Sequence, residues 1–197
     1  IDYVGNTAEF FHTFEEEAKV LLWASEFLGL PKGLKLSVHS GSDKFKLYKG
    51  IHEIATRLGA GVHLKTAGTT WLEEIVGLAE AGGKGLSLAK RVYEQAYLRI
   101  DELTAPYANV VEIDSSSLPS PQIVASWDSN AFVNALRHEL DSSMMQPGMR
   151  QLMHVGFKIA AEMGKEYLDA LEEYRESVSR NVRYNLYARH LEPIIFG

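Results

Sequence analysis

The chain has 197 residues, 46% of them hydrophobic, a formal net charge of -6 and no cysteine, enough to bury a core in one domain or two. No basic stripe appears and no apolar run approaches the roughly 20 residues of a membrane-spanning helix, which argues against nucleic-acid and bilayer partners and for a cytoplasmic protein. Without cysteine there is no disulfide scaffold, thiolate nucleophile or Cys-ligated metal, so His, Asp and Glu are the strong ligands left.

The chain opens at Ile1 with neither methionine nor a signal-peptide pattern, and reads as begun within something longer. A helix is predicted from Phe14 to Leu28, capped by Thr13, with Glu15 to Glu17 in its positive first turn and Gly29 at its end. Pro31 and Gly33 lead into a strand, Leu34 to His39, in which Leu36 and Val38 alternate with Ser37 and His39. Then comes Ser40-Gly41-Ser42-Asp43-Lys44, which gathers hydroxyls, a carboxylate and an ammonium. Such residues also serve as plain punctuation, and Asp43 as the cap of the next helix.

That helix is predicted over Tyr48 to Leu58, with Ile51, Ile54, Ala55 and Leu58 on one face and Gly59 closing it. A second strand, "GVHLKTAG", follows, and Thr69 or Thr70 opens "TWLEEIVGLAEAG", with Glu73 placed for a capping box. A third helix, Leu86 to Leu103, precedes a third strand, "NVVEID", which stops at Asp114 before three serines. The second half differs. After Pro119 and Pro121, helix is predicted from Asp128 to Leu140 and, almost unbroken, from Met149 to Arg189, with Gly156 and Gly164 as soft interruptions.

Strand alternating with helix over short loops predicts an α/β fold with a parallel sheet. Three strands cannot close an eight-stranded barrel. The expectation is therefore a partial (β/α) barrel-like sheet with a mostly helical C-terminal half, forming a single domain over residues 1–197 that is the C-terminal part of a longer barrel-type enzyme.

In such folds functional groups gather at the carboxyl ends of strands. Here the strand ends carry His39, then His63 with Lys65, then Glu112 with Asp114. Side-chain alternation puts Ser37 with His39, and His63 with Lys65, on one face of each strand. The plainer readings are a structural strand-end histidine, a snorkelling Lys65 and a capping Asp114. Arg150, His154 and Lys158 fall four apart, as a polar stripe on one helical face. His12, His52 and His138 sit on surface-like helical faces, and His190, shortly before Pro193, reads as a charge opposing a helix dipole.

Four stretches, "KLSVHSGSDKFKLY", "GVHLKTAGTTWLEE", "RQLMHVGFKIAAEMG" and "NLYARHLEPIIF", together resemble the tagaturonate epimerase family of bacterial hexuronate catabolism, and specifically the C-terminal part of its longer chains. The resemblance covers most of Lys35 to Phe196. It implies a metal-dependent epimerase interconverting D-tagaturonate and D-fructuronate. These sugars differ at a hydroxyl-bearing carbon β to the ketone, whose proton the carbonyl does not acidify, so retro-aldol cleavage and re-addition is the reasonable route. The site residues it implies are Asp43 and Lys65 as catalytic groups, Ser40, Ser42, Lys44 and Thr69 on the substrate, and His39, His63 and His154 on a divalent metal ion of open identity. The expected partner is a small hexuronate. The alternatives are a non-catalytic binding or assembly domain that pairs with a second copy, and another metal-dependent barrel isomerase or aldolase.

Overall fold

The computed structural model describes residues 3–31, 33–39, 43–107, 113–139 and 143–197. Most of the third predicted strand, with Glu112, lies outside the described residues, as do Ser40 and Ser42. The described chain is mostly helical with one small sheet. It divides into two compact units, residues 1–69 with 184–197, and residues 70–183.

The first unit is built on a β-α-β core. Its first helix, α1, runs Thr7–Phe27 and starts well before the predicted Phe14, because Asn6 and not Thr13 is the cap: the Asn6 carboxamide accepts from the backbone N–H groups of Ala8 and Glu9. Strand β1 (Lys35–His39) pairs with β2 (Gly61–Lys65) in parallel, in the register Ser37 to His63 and His39 to Lys65. Parallel pairing requires a crossover. Helix α2 (Phe45–Leu58) supplies it, closed by Gly59 in the left-handed conformation at φ 68°.

Alternation along the strands separates two chemistries. Val38 packs with Phe14, Leu47, Tyr48, Ile51 and Ile194 in the core, with Leu36, Val62 and Leu64 beside them. Lys35, Ser37, His39, His63 and Lys65 are exposed on the other face. The Arg57 guanidinium of α2 grips Glu15 of α1 through both carboxylate oxygens, at 3.1 and 2.7 Å, and holds that carboxyl down at about 2. The unit is completed by the first residues of α3 (Ala67–Ala81) and by the chain end, where a π-helical turn, Asn185–Leu191, leads to the short helix Glu192–Ile195.

The second unit is all-helical in its described residues. The predicted helix from Leu86 to Leu103 is two: α4 (Gly83–Leu98) and α5 (Ile100–Thr104). They part at Arg99, whose φ of -115° leaves the helical region and whose guanidinium pairs with Glu102 and Glu162. The short α6 (Pro121–Ala125) and α7 (Ser129–Leu136) follow, the second capped by the Asp128 carboxylate on the Ala131 N–H. The long pattern beyond Met149 resolves into α8 (Pro147–Val155), α9 (Phe157–Met163), α10 (Lys165–Glu173) and α11 (Arg175–Tyr184). Gly156 and Gly164 do more than soften it; each ends a helix. Leu72, Ile75, Val92, Phe132, Leu136 and Leu152 are among its buried core.

Candidate functional site

The described predicted site residues of the first unit, His39, Asp43, Lys44, His63, Lys65 and Thr69, lie on the two strands or just beyond their carboxyl ends. Asp43 follows β1 and is buried, at 1% exposure. The residue at the N-terminus of α2 is Lys44, whose side chain makes no capping hydrogen bond. The Asp43 carboxylate instead meets two side chains from distant parts of the sequence. Thr69, in the first turn of α3 and also buried, donates from Oγ1 to Asp43 Oδ1 at 3.4 Å. Thr69 is therefore a helical residue inside α3, not the cap the sequence pattern suggests, because α3 already begins at Ala67.

The second side chain is His190, which sequence reasoning missed. Its Nε2 lies 3.3 Å from Asp43 Oδ1, with both side chains fully buried. On the other side of the ring, Nδ1 is 2.8 Å from the backbone carbonyl of Asn185. A carbonyl only accepts, so Nδ1 carries a hydrogen. The ring stands against Phe45 and Tyr48, with centroids 5.5 and 5.4 Å away, and the Arg189 guanidinium lies 4.4 Å over the Phe45 ring. Only the π-helical turn brings His190 to this position, and its one local signal is Pro193, which forbids a continuous α-helix.

Lys44 is half-buried beside Asp43. Its ammonium donates to the backbone carbonyl of His39, and its N–H donates to Tyr48 Oη at 3.4 Å. Burial pushes that ammonium below the ordinary lysine range, while the neighbouring Asp43 carboxylate acts against the shift. Lys44 thus links the end of β1, the start of α2 and the buried carboxylate.

The polar face of the sheet adds four groups. The register sets His39 beside Lys65 and Ser37 beside His63, all four on one face. Ser37 Oγ and His63 Nδ1 are 3.3 Å apart. His39, His63 and Lys65 are exposed. Among the described residues, no three His, Asp or Glu side chains converge closely enough to hold a metal ion.

His154 belongs to the second unit, half-buried in the last turn of α8. The expected stripe of Arg150, His154 and Lys158 does not exist as one face, because α8 ends at Val155 and α9 starts afresh at Phe157. Arg150 is buried and donates to the Leu136 carbonyl at 2.7 Å, while Lys158 is exposed and pairs with Glu102. His138 is likewise buried, at 2% exposure, and not on a surface face. Asp114 follows its plainer reading: its carboxylate accepts from the Ser116 N–H at 2.9 Å and from the Ser116 hydroxyl, and caps a short helical turn.

A family model described as tagaturonate epimerase matches residues 1–194. The chain belongs to the tagaturonate epimerase family. It is 27% identical over 195 residues to the tagaturonate/fructuronate epimerase of Thermotoga maritima, an alignment that covers 98% of this chain and 34% of that protein. It is also similar to the glycerol-complexed crystal structure of fructuronate-tagaturonate epimerase from Cohnella laeviribosi, with a TM-score of 0.73 and 25% identity, over 98% of this chain and 36% of that one. The chain thus spans about a third of the length of the family members it matches. No helix among its described residues is long and apolar enough to cross a membrane.

Proposed function

We propose that this chain carries the strand-end half of the active site of a sugar-acid epimerase that interconverts D-tagaturonate and D-fructuronate in the cytoplasm. The observation behind the reading is the juxtaposition of a buried carboxylate, Asp43, with Thr69 and Lys44 at the carboxyl ends of two parallel strands whose polar face bears His39, His63 and Lys65. Family membership supplies the reaction class. On this reading β1, α2 and β2 form one β-α-β unit of a (β/α) barrel.

The chemistry asks for three things. The hydroxyl proton on the carbon β to the ketone must be withdrawn as the bond between the α and β carbons breaks, giving an aldehyde and an enediolate. The aldehyde then turns its other face, the bond re-forms, and the proton returns to the new alkoxide, so atoms balance without any redox step. Asp43 and Lys65 are the groups for the proton transfers, and Asp43 also holds Lys44. Lys44, with Thr69, Ser40 and Ser42, is assigned to the substrate, the ammonium pairing with the sugar-acid carboxylate.

A divalent ion fits the polar face by donor chemistry. His39 and His63 are two imidazoles on one face, and the Ser37 contact on His63 Nδ1 leaves Nε2 as the ligating atom. His154, in the second unit, is a third ligand only as the family resemblance implies it. When bound, such an ion supplies positive charge that stabilises an enediolate.

The test is to incubate the purified chain with D-fructuronate in the presence and absence of added Zn²⁺ or Mn²⁺ and follow the sugar ring protons by NMR. Appearance of D-tagaturonate supports the reading. A chain that neither converts nor binds the hexuronate supports the second reading, a non-catalytic binding or assembly part.

A further inference from the structure

The π-helical turn Asn185–Leu191 seats His190 in the core and, in doing so, puts the residue before it over an aromatic ring: the Arg189 guanidinium carbon lies 4.4 Å from the centroid of Phe45. Phe45 is the first residue of α2 and follows Lys44 directly. The Phe45 ring is itself held in place, packed edge-on against Tyr48 and His190 with centroids 5.8 and 5.5 Å away. Arg189 and Phe45 are both half-buried, so the guanidinium is neither sealed in the core nor loose in water. A second cation therefore stands at the carboxyl end of the sheet, over the residue next to Lys44.

The kind of contact matters. Attraction to a ring face orients a guanidinium while using none of its five N–H donors, which form a planar fork of the geometry that a carboxylate fills. Five donors leave room for an anion beside any neighbour that the side chain also touches. A lysine ammonium offers only a point charge. The carboxylate of a sugar acid has about four lone-pair sites, enough for an arginine fork and an ammonium together.

We propose that Arg189 is a specificity-determining residue of this site: held by the Phe45 ring, its guanidinium takes the carboxylate of the sugar acid through paired N–H···O bonds, with the Lys44 ammonium as the second cation. This rests on the function proposed above and deepens it, by naming the group that separates a sugar acid from a neutral sugar. A neutral sugar in the same place would displace water from both cations and bring no counter-charge to either, so the pair that attracts the acid also disfavours its uncharged analogue. The role belongs to arginine in particular, because lysine would keep the charge and lose both the fork and the planar stack on Phe45.

The test reads the guanidinium directly. In ¹⁵N-arginine-labelled chain, the Arg189 Nε–Hε signal, assigned by its loss in Arg189→Lys, is followed as D-fructuronate, the sugar acid D-gluconate or the uncharged polyol D-glucitol is added. The signal is expected to shift saturably with both acids and to stay in place with D-glucitol. Arg189→Gln is expected to weaken D-fructuronate binding by about tenfold or more, and Arg189→Lys by less. Should Arg189→Gln not fold, the wild-type shifts and Arg189→Lys decide. An Arg189 signal that neither acid moves, or that D-glucitol moves as far, overturns the proposal, and so does wild-type affinity for D-fructuronate in Arg189→Gln. A shift with D-gluconate and none with D-fructuronate keeps the carboxylate site and removes the hexuronate reading. Conversion of D-fructuronate with an unmoved Arg189 keeps that reading and removes Arg189 from it.

Discussion

Ser37 and His63 meet across the two strands, Oγ to Nδ1 at 3.3 Å, on the same face as His39 and Lys65. This contact fixes the ring of an exposed histidine whose Nε2 is the ligating atom in the proposed metal site. Groups that orient a metal-bound imidazole typically contribute 10–100-fold in affinity. Ser37→Ala is therefore expected to weaken Zn²⁺ or Mn²⁺ binding by roughly 10-fold, and His39→Gln to abolish it, with both variants melting close to the wild type because these side chains pack against nothing in the core. Calorimetric titration checks this. Wild-type affinity in His39→Gln would remove His39 from the ligand set.

Lys44 donates to the His39 carbonyl, yet an ammonium has three protons and only one is spent there. Lys44→Ala is expected to weaken hexuronate binding by about 1.5–3 kcal/mol, the range for hydrogen bonds to charged groups. An uncharged sugar should lose much less. Titration of both ligands on the same protein decides it, and equal losses would mean that Lys44 only ties β1 to α2.

Much of the first unit was legible because its signals are local. Alternation in Leu36 to His39, the apolar face of α2 and the stop at Gly59 each depend on neighbours within a few residues. Asp43 and Thr69 could be nominated because each lies just past a strand end. His190 could not, since its partner is a carboxylate near the other end of the chain and nothing in "NLYARHLEP" encodes that approach. Helical periodicity beyond Met149 hid its own breaks for a related reason. The pattern survives a glycine, but the backbone does not: Gly164 sits at φ 56° and starts a new axis. The Arg150 stripe failed at the other glycine, Gly156, where α8 ends and α9 begins.

Gly77 of α3 lies where α11 crosses closely, so that a Cβ there would come within 2.6 Å of Val178 Cα and 3.0 Å of its N. Backbone cannot rotate away as a side chain can. Although alanine has the better helix propensity, Gly77→Ala is expected to destabilise the second unit by about 1–3 kcal/mol through overpacking. Thermal melting measures it. An unchanged or raised melting temperature would show that the two helices can separate without loss.

Glu74 and Tyr167 form a pair with a definite pH signature. Tyr167 Oη donates to Glu74 Oε2 at 2.8 Å, and the phenol is part of the apolar core beside Trp71. Burial raises the Glu74 carboxyl above its ordinary 4.5, with the tyrosine hydrogen bond opposing but not cancelling the shift. An acid with a raised folded-state pKa is protonated in both states well below 4.5 and then adds no pH dependence. As pH rises through 4.5 the unfolded chain ionises first, and the folded chain loses relative stability until its own carboxyl has ionised as well. Glu74→Gln keeps an acceptor for Tyr167 and removes the ionisation. The melting temperature of Glu74→Gln relative to wild type should therefore climb as pH rises through 4.5 and level off once the folded carboxyl is ionised. A difference that stays flat across that window, or falls, would mean that water reaches Glu74 well enough to cancel the burial.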